Sequence, residues 1–160
     1  MGFMEMTAEE MNLLTSKDSH SMIQTRRILV VEDDKMLRKM IERFLAVNYY
    51  RVVAVSNGID GLRAVLKEDF DFIICDMVMP KMSGDMFYLS LKKIKPRLCS
   101  RLIFITGHAG DPKIDNFIKS VNGIVLPKPF QMEDMLEAVT LVQVSPSHRA
   151  RGGAGLMVEG

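Results

Sequence analysis

Apolar positions along the chain fall into two alternating kinds of run. Ile28-Leu29-Val30-Val31 is unbroken, the mark of a strand covered on both faces. Behind it, Lys35–Val47 carries Met36, Met40, Ile41, Phe44 and Leu45 at helical spacing, which predicts an amphipathic helix. The alternation then repeats. Arg51–Val55 predicts a second strand, Asn57-Gly58 punctuates it, and Ile59, Leu62, Val65 and Leu66 mark a second helix. Phe72–Asp76 predicts a third strand, and Asp85–Lys95 a helix that turns Phe87, Tyr88, Leu91 and Ile94 inward. Arg101–Ile105 predicts a fourth strand that runs out at Thr106. Pro112, tolerated in a first helical turn, opens a helix carrying Ile114, Phe117, Ile118 and Val121. Gly123–Leu126 predicts the fifth strand, and Met132, Met135, Leu136, Val139 and Val142 the fifth helix.

Five strand–helix repeats joined by short connections imply an α/β fold: a doubly wound five-stranded parallel sheet with helices on both faces. Right-handed crossovers and one reversal of winding put the first and third strands side by side. Ligands of such sheets bind outside the carboxyl ends of the strands, at that reversal. A length of 160 residues suits one such domain, here 26–144, between a leader over 1–25 and a tail over 145–160. In the leader, Thr7-Ala8-Glu9-Glu10 fits a capping box before a short helix at Met11–Leu14, although a frayed segment is the expectation. The tail, with Pro146, Gly152, Gly153 and Gly155, reads as disordered. At 16 residues beyond Val144, it is too short for a DNA-binding or catalytic output domain.

Charge narrows the function. Residues 1–25 carry a net −3, residues 26–145 a net +3, and the whole chain +1. No concentrated basic stretch is present, so direct nucleic-acid binding through a dense phosphate footprint is not expected. The longest strand-like apolar runs are four residues, which speaks against a membrane span. The first residues lack a basic start and an apolar stretch, so no secretory signal is expected. Cys75 and Cys99 form no C-x-x-C pair and suit a reducing, cytoplasmic setting.

Three carboxylates fall at the exits of the two central strands: Glu32 and Asp33 after the first, Asp76 at the end of the third. Asp34 is placed to cap the helix that follows. Any one of these acids alone would read as a cap or a solvated loop residue. Three at adjacent exits repel one another, so either one is protonated or a hard cation lies among them. Magnesium suits the set, because it takes few carboxylates and leaves room for a phosphate oxygen. A carboxylate beside such an ion can attack a phosphoryl group and form an acyl phosphate. Thr106 and Lys128 end the fourth and fifth strands, where a hydroxyl and an ammonium can hold phosphoryl oxygens. Pro127 and Pro129 fix the aim of Lys128, and a cis Lys128–Pro129 bond suits so tight a turn.

Val30-Val31-Glu32-Asp33-Asp34, the apolar strand ending at Asp76, Met79-Pro80-x-Met82-x-Gly84, Thr106-Gly107 and Lys128-Pro129-Phe130 together resemble the receiver domain of two-component response regulators. The likeness runs from about Arg27 to Val144 and implies a flavodoxin-like sheet in the order 2-1-3-4-5. It implies that Asp76 accepts a phosphoryl group from a histidine kinase or a histidine phosphotransfer protein. Asp33, Asp76, Glu32 (directly or through water) and the Val78 carbonyl would hold Mg2+, and Thr106 and Lys128 would contact the phosphoryl group. Phosphorylation would then bias the face formed by the fourth helix, fifth strand and fifth helix toward a downstream protein or a second copy. Ile114, Ile118 and Val125 are the exposed apolar groups expected there. The implied protein is a signalling switch, stand-alone or part of a hybrid kinase, and not an enzyme with a catalytic output of its own.

Three positions depart from the family pattern. Glu32 stands where Asp is common, Gly107 replaces a commoner small residue, and Val125 occupies a position that is usually aromatic. Val78 and His108, two residues beyond Asp76 and Thr106, flank the path of an attacking water. Apolar Val78 offers that water no hydrogen bond, so slow self-dephosphorylation is expected. Two rival classes stay open. A magnesium-dependent aspartyl phosphatase would carry a second acid where Val78 stands. A receiver-like interaction module that is never phosphorylated is the other, with Val125 in its favour. A nucleotide-binding flavodoxin-like domain is weaker, because no glycine-rich loop follows the first strand.

Overall fold

The computed structural model describes residues 25–144. The expectations for residues 1–24 and 145–160, including the helix at Met11–Leu14, lie outside the described residues. The elements are β1 (Arg27–Val31), α1 (Lys35–Val47), β2 (Arg51–Val55), α2 (Gly58–Lys67), β3 (Phe72–Asp76) and α3 (Gly84–Ile94). A 3-10 helix (Pro96–Arg101), β4 (Leu102–Thr106), α4 (Pro112–Val121), β5 (Ile124–Pro127) and α5 (Met132–Val144) follow. All strand pairs are parallel, in the order β2-β1-β3-β4-β5. The sheet has the architecture read from the sequence.

Burial follows position in the sheet. β3 and β4 are buried throughout and β1 nearly so, whereas edge strand β2 is mostly half-buried and edge strand β5 buries only Leu126. Alternation sends Ile28, Val30, Phe72, Ile74, Ile103 and Ile105 to one face, against Ile41 and Leu45 of α1 and Met135 and Val139 of α5. Leu29, Val31, Ile73, Cys75 and Phe104 point to the other face, against Val65 of α2, Phe87 and Leu91 of α3 and Ile118 of α4. Each such aliphatic side chain, fully buried, contributes about 1.5–3 kcal/mol against an exposed reference.

Several helices sit at a different rotation or length from the one expected. Met36 and Met40 are 71% and 52% exposed, and α1 faces the core through Ile41 and Leu45 instead. On α2, Ile59 and Leu66 are exposed, because Gly58 and Gly61 give close approach there and Val65 is the side chain that enters the core. Ile94 is exposed, not inward, and Lys95-Pro96 ends α3 at that point. A residue before proline is pushed out of the α region, and Lys95 has an extended φ of −141°. The chain continues as the 3-10 helix, which was not expected, so β4 begins at Leu102 and not Arg101. β5 likewise starts one residue later than predicted. Ile118, expected on an exposed face, is buried, and Ile114 is half-buried.

Candidate functional site

The parallel register brings the strand exits to one rim. Val31 pairs with Cys75, so Glu32 and Asp76 leave neighbouring strands side by side. Asp76 pairs with Ile105 and Thr106 with Pro127, which puts Thr106 and Lys128 next along the same rim. The ladder continues past the strand ends: Met77 N donates to Ile105 O at 2.8 Å and Lys128 N to Thr106 O at 2.7 Å. The Lys128–Pro129 bond is cis, as expected.

Three of the expected acids converge. One carboxylate oxygen from each of Glu32, Asp33 and Asp76 lies within 4.8 Å of the other two. Glu32 is fully buried and Asp76 nearly so, while Asp33 is exposed. Lys128 Nζ bridges the pair beneath, 2.8 Å from Asp76 Oδ2 and 3.2 Å from Glu32 Oε2. Asp76 Oδ1 accepts from Val78 N at 3.1 Å. Glu32 Oε1 accepts from Asp34 N at 3.0 Å, but its Oε2, although buried, receives no aligned hydrogen bond. Asp34 stands apart as the α1 cap, its Oδ1 accepting from Leu37 N at 2.8 Å.

The electrostatics follow from burial and like charge. Loss of solvent pushes the Glu32 carboxyl up from 4.5 to about 7, and nearby Asp76 adds to this against the Asp34 amide and Lys128. Burial alone would lower the Lys128 ammonium, but the hydrogen bond and charge of Asp76, helped by Glu32, outweigh it and leave it raised. A buried carboxylate oxygen met only by the Lys128 ammonium at 3.2 Å, in a ring of hard oxygen ligands, is an environment that suits a small divalent cation. Glu32, Asp33 and Asp76 are therefore the side chains that could hold Mg2+.

Thr106 is buried, and its Oγ1 accepts from His108 N at 3.0 Å. His108 is exposed and Val78 is 46% exposed, both at the open side of the rim. Val125 pairs with Phe104 and lies below the rim, 39% exposed.

Two contributors were not anticipated. Arg38 Nη1 donates to Glu32 O at 2.7 Å and to Asp33 O at 3.1 Å, holding the turn that carries both acids. An arginine one turn into the helix after the acids was the available signal. Gly84 opens α3 directly beneath the site, where a Cβ would sit 2.7 Å from Asp76 O. Its close approach explains the glycine after Met79-Pro80.

Comparison with known proteins agrees with this geometry. The family model of the response regulator receiver domain matches residues 28–140. The chain is 30% identical over 114 residues to the response regulator receiver protein CpdR of Brucella abortus (strain 2308), covering 71% of this chain and 93% of that protein. It is 30% identical over 114 residues to the sensor kinase CckA of the same strain, covering 70% of this chain and only 12% of that protein. The transcriptional regulatory protein GlrR of Escherichia coli (strain K12) is 29% identical over 75% of this chain, which spans 27% of GlrR. Among solved structures, Vibrio cholerae chemotaxis protein CheY4 superposes with a TM-score of 0.67 at 27% identity, covering 74% of this chain and 98% of that one. The matched stretch runs from β1 into α5 and takes in every rim residue described above, so the chain belongs to the receiver domain family of response regulators, modules of two-component signalling.

Proposed function

We propose that Asp76 is the phosphoacceptor of a phosphorylation-controlled switch, charged from the phosphohistidine of a histidine kinase or phosphotransfer protein. The observation that carries this reading is the convergence of Glu32, Asp33 and Asp76 with Lys128 Nζ 2.8 Å from Asp76 Oδ2. An Asp76 carboxylate oxygen forms a bond to phosphorus as the donor's N–P bond breaks, and the freed imidazole takes up a proton. Glu32, Asp33, Asp76 and the Val78 carbonyl would hold Mg2+, which would neutralise charge on the phosphoryl oxygens. Lys128 is already aimed at the reacting carboxylate and pairs with the charge that arrives. Thr106 supplies a hydroxyl from the next strand. Val78 and His108 set the lifetime of the acyl phosphate by controlling the approach of water. Val78 offers no polar side-chain atom, so the lifetime exceeds seconds.

The output passes through α4, β5 and α5 to a downstream protein or a second copy of the chain. No described helix is long and apolar enough to cross a membrane, and the setting proposed is the cytoplasm. Matches both to nearly the whole of a receiver protein and to a short stretch of a sensor kinase fit a stand-alone regulator and a hybrid-kinase segment. An aspartyl phosphatase is disfavoured by Val78, which stands where that chemistry needs a second acid.

Incubation with acetyl phosphate and Mg2+ followed by intact-mass measurement tests the proposal. The chain gains one phosphoryl group, and Asp76→Asn gains none. Unmodified wild-type protein, or equal labelling of the variant, overturns it.

A further inference from the structure

Of the ten residues of α4, only Ile118 is buried, so this helix is lightly held. Its firmest hold beyond Ile118 is a ring. Phe117 lies edge-on to Phe104 of β4 at 5.7 Å between centroids and to Tyr88 of α3 at 5.6 Å, and Tyr88 and Phe104 close the triangle at 6.2 Å. Such pairs add about 0.5–1.5 kcal/mol each beyond burial. Phe104 is itself fixed, because it is buried and its ring occupies the place of a Gly123 side chain, 2.8 Å from where that Cβ would be.

The other side of Phe117 faces a different neighbour. It lines an open groove of about 270 Å³, walled by Met77, Val78 and Met79 after Asp76 and by Lys113 and Ile114 of α4. Phe117 thus touches the core on one side and borders the loop of the acidic rim on the other. The segment leading into α4 is tied to the same rim, since the His108 amide donates to Thr106 Oγ1. A Thr106 hydroxyl that turns toward a phosphoryl group gives up that amide. α4 borders the open groove on its Met77–Met79 side. Val125, on the strand next to Phe104, carries no ring and is 39% exposed.

We propose that Phe117 is the positioning residue that couples the Asp76 site to α4, with its ring as the pivot on which the helix tilts into the groove toward Met77–Met79 when Asp76 is phosphorylated. The inference rests on the phosphoacceptor reading of Asp76.

The test uses beryllofluoride with Mg2+ as a stable phosphoryl mimic and follows amide hydrogen exchange across residues 113–121 of the full chain. In wild type, the mimic is expected to change α4 exchange by at least ~5-fold, the low end of an ordinary coupling. Phe117→Leu is expected to bind the mimic as wild type does and to lose the α4 response, whereas Val125→Ala keeps it. A Phe117→Leu protein with the full response, or a Val125→Ala protein without it, overturns the coupling role. If Phe117→Leu does not fold, Phe117→Met is judged by the same criteria. Wild-type protein that fails to bind the mimic overturns the phosphoacceptor reading, and the coupling falls with it. Wild-type protein that binds the mimic without an α4 response overturns the coupling alone.

Discussion

A Cβ on Gly84 would lie 2.7 Å from Asp76 O and 2.9 Å from Met77 Cα, and neither backbone atom can swing aside. Gly84→Ala is therefore expected to cost about 1–3 kcal/mol, as overpacking does. It should also lower the rate of phosphorylation by acetyl phosphate, because the displaced backbone carries Asp76. At Gly107 the nearest atom to an added Cβ is Lys128 Cδ at 3.8 Å, ordinary contact distance. Gly107→Ala should leave the urea midpoint within about 0.5 kcal/mol of wild type. Reversal of that order would refute the packing around the rim. Arg38 acts at the same scale without touching a phosphoryl group. Its two hydrogen bonds to the Glu32 and Asp33 carbonyls fix the direction of both side chains, as outer-shell groups do at metal sites. Arg38→Ala should weaken Mg2+ binding by ~10-fold in a calorimetric titration. Unchanged affinity would show that the turn holds its shape without the guanidinium.

Among the elements, α1 separates what the sequence encodes from what tertiary packing decides. Two apolar stripes run along it, one through Met36 and Met40 and one through Ile41 and Leu45, and helical spacing alone accepts either. The sheet accepts only the second, leaving Met36 and Met40 in solvent. Met40→Gln should shift stability by less than about 0.5 kcal/mol. Ile41→Ala should cost about 2–5 kcal/mol. Comparable losses in urea denaturation would mean that α1 is rotated from the position described. The strands left no such choice. Four consecutive apolar residues ending in acids fit a doubly covered parallel strand, so β1 and β3 and the acids at their exits were legible from the sequence. The 3-10 helix was hidden because Cys99 and Leu98 read equally as strand approach or helix, and Pro96 decided it. Arg38 was hidden because a basic residue on an amphipathic helix looks like solvent-facing surface until the carbonyls beneath it are located.

At the scale of the whole molecule, the proposed Mg2+ binding at the acidic rim would depend on the same proton as folding does. Glu32 is fully buried, with Oε2 met only by the Lys128 ammonium at 3.2 Å, and its carboxyl is pushed up from 4.5 to about 7, chiefly by loss of solvent. The metal-free folded state therefore holds this proton more tightly than the unfolded chain does. Its stabilising contribution is fully present below about pH 4.5 and is lost as pH rises through about 7. Without metal, the urea midpoint attributable to Glu32 should fall across that window, and Glu32→Gln, which cannot ionise, should flatten the fall. Added Mg2+ should act in the opposite sense. It binds only the deprotonated cluster, so its stabilisation should grow as pH rises from 5 to 8, with proton release detectable in buffers of different ionisation heat. A metal-free midpoint that climbs between pH 5 and 7 while Glu32→Gln stays flat would mean that Glu32 is ionised in the folded protein. Lys128 would then be its full counter-charge, and the room left for a cation among Glu32, Asp33 and Asp76 would have to be reassigned.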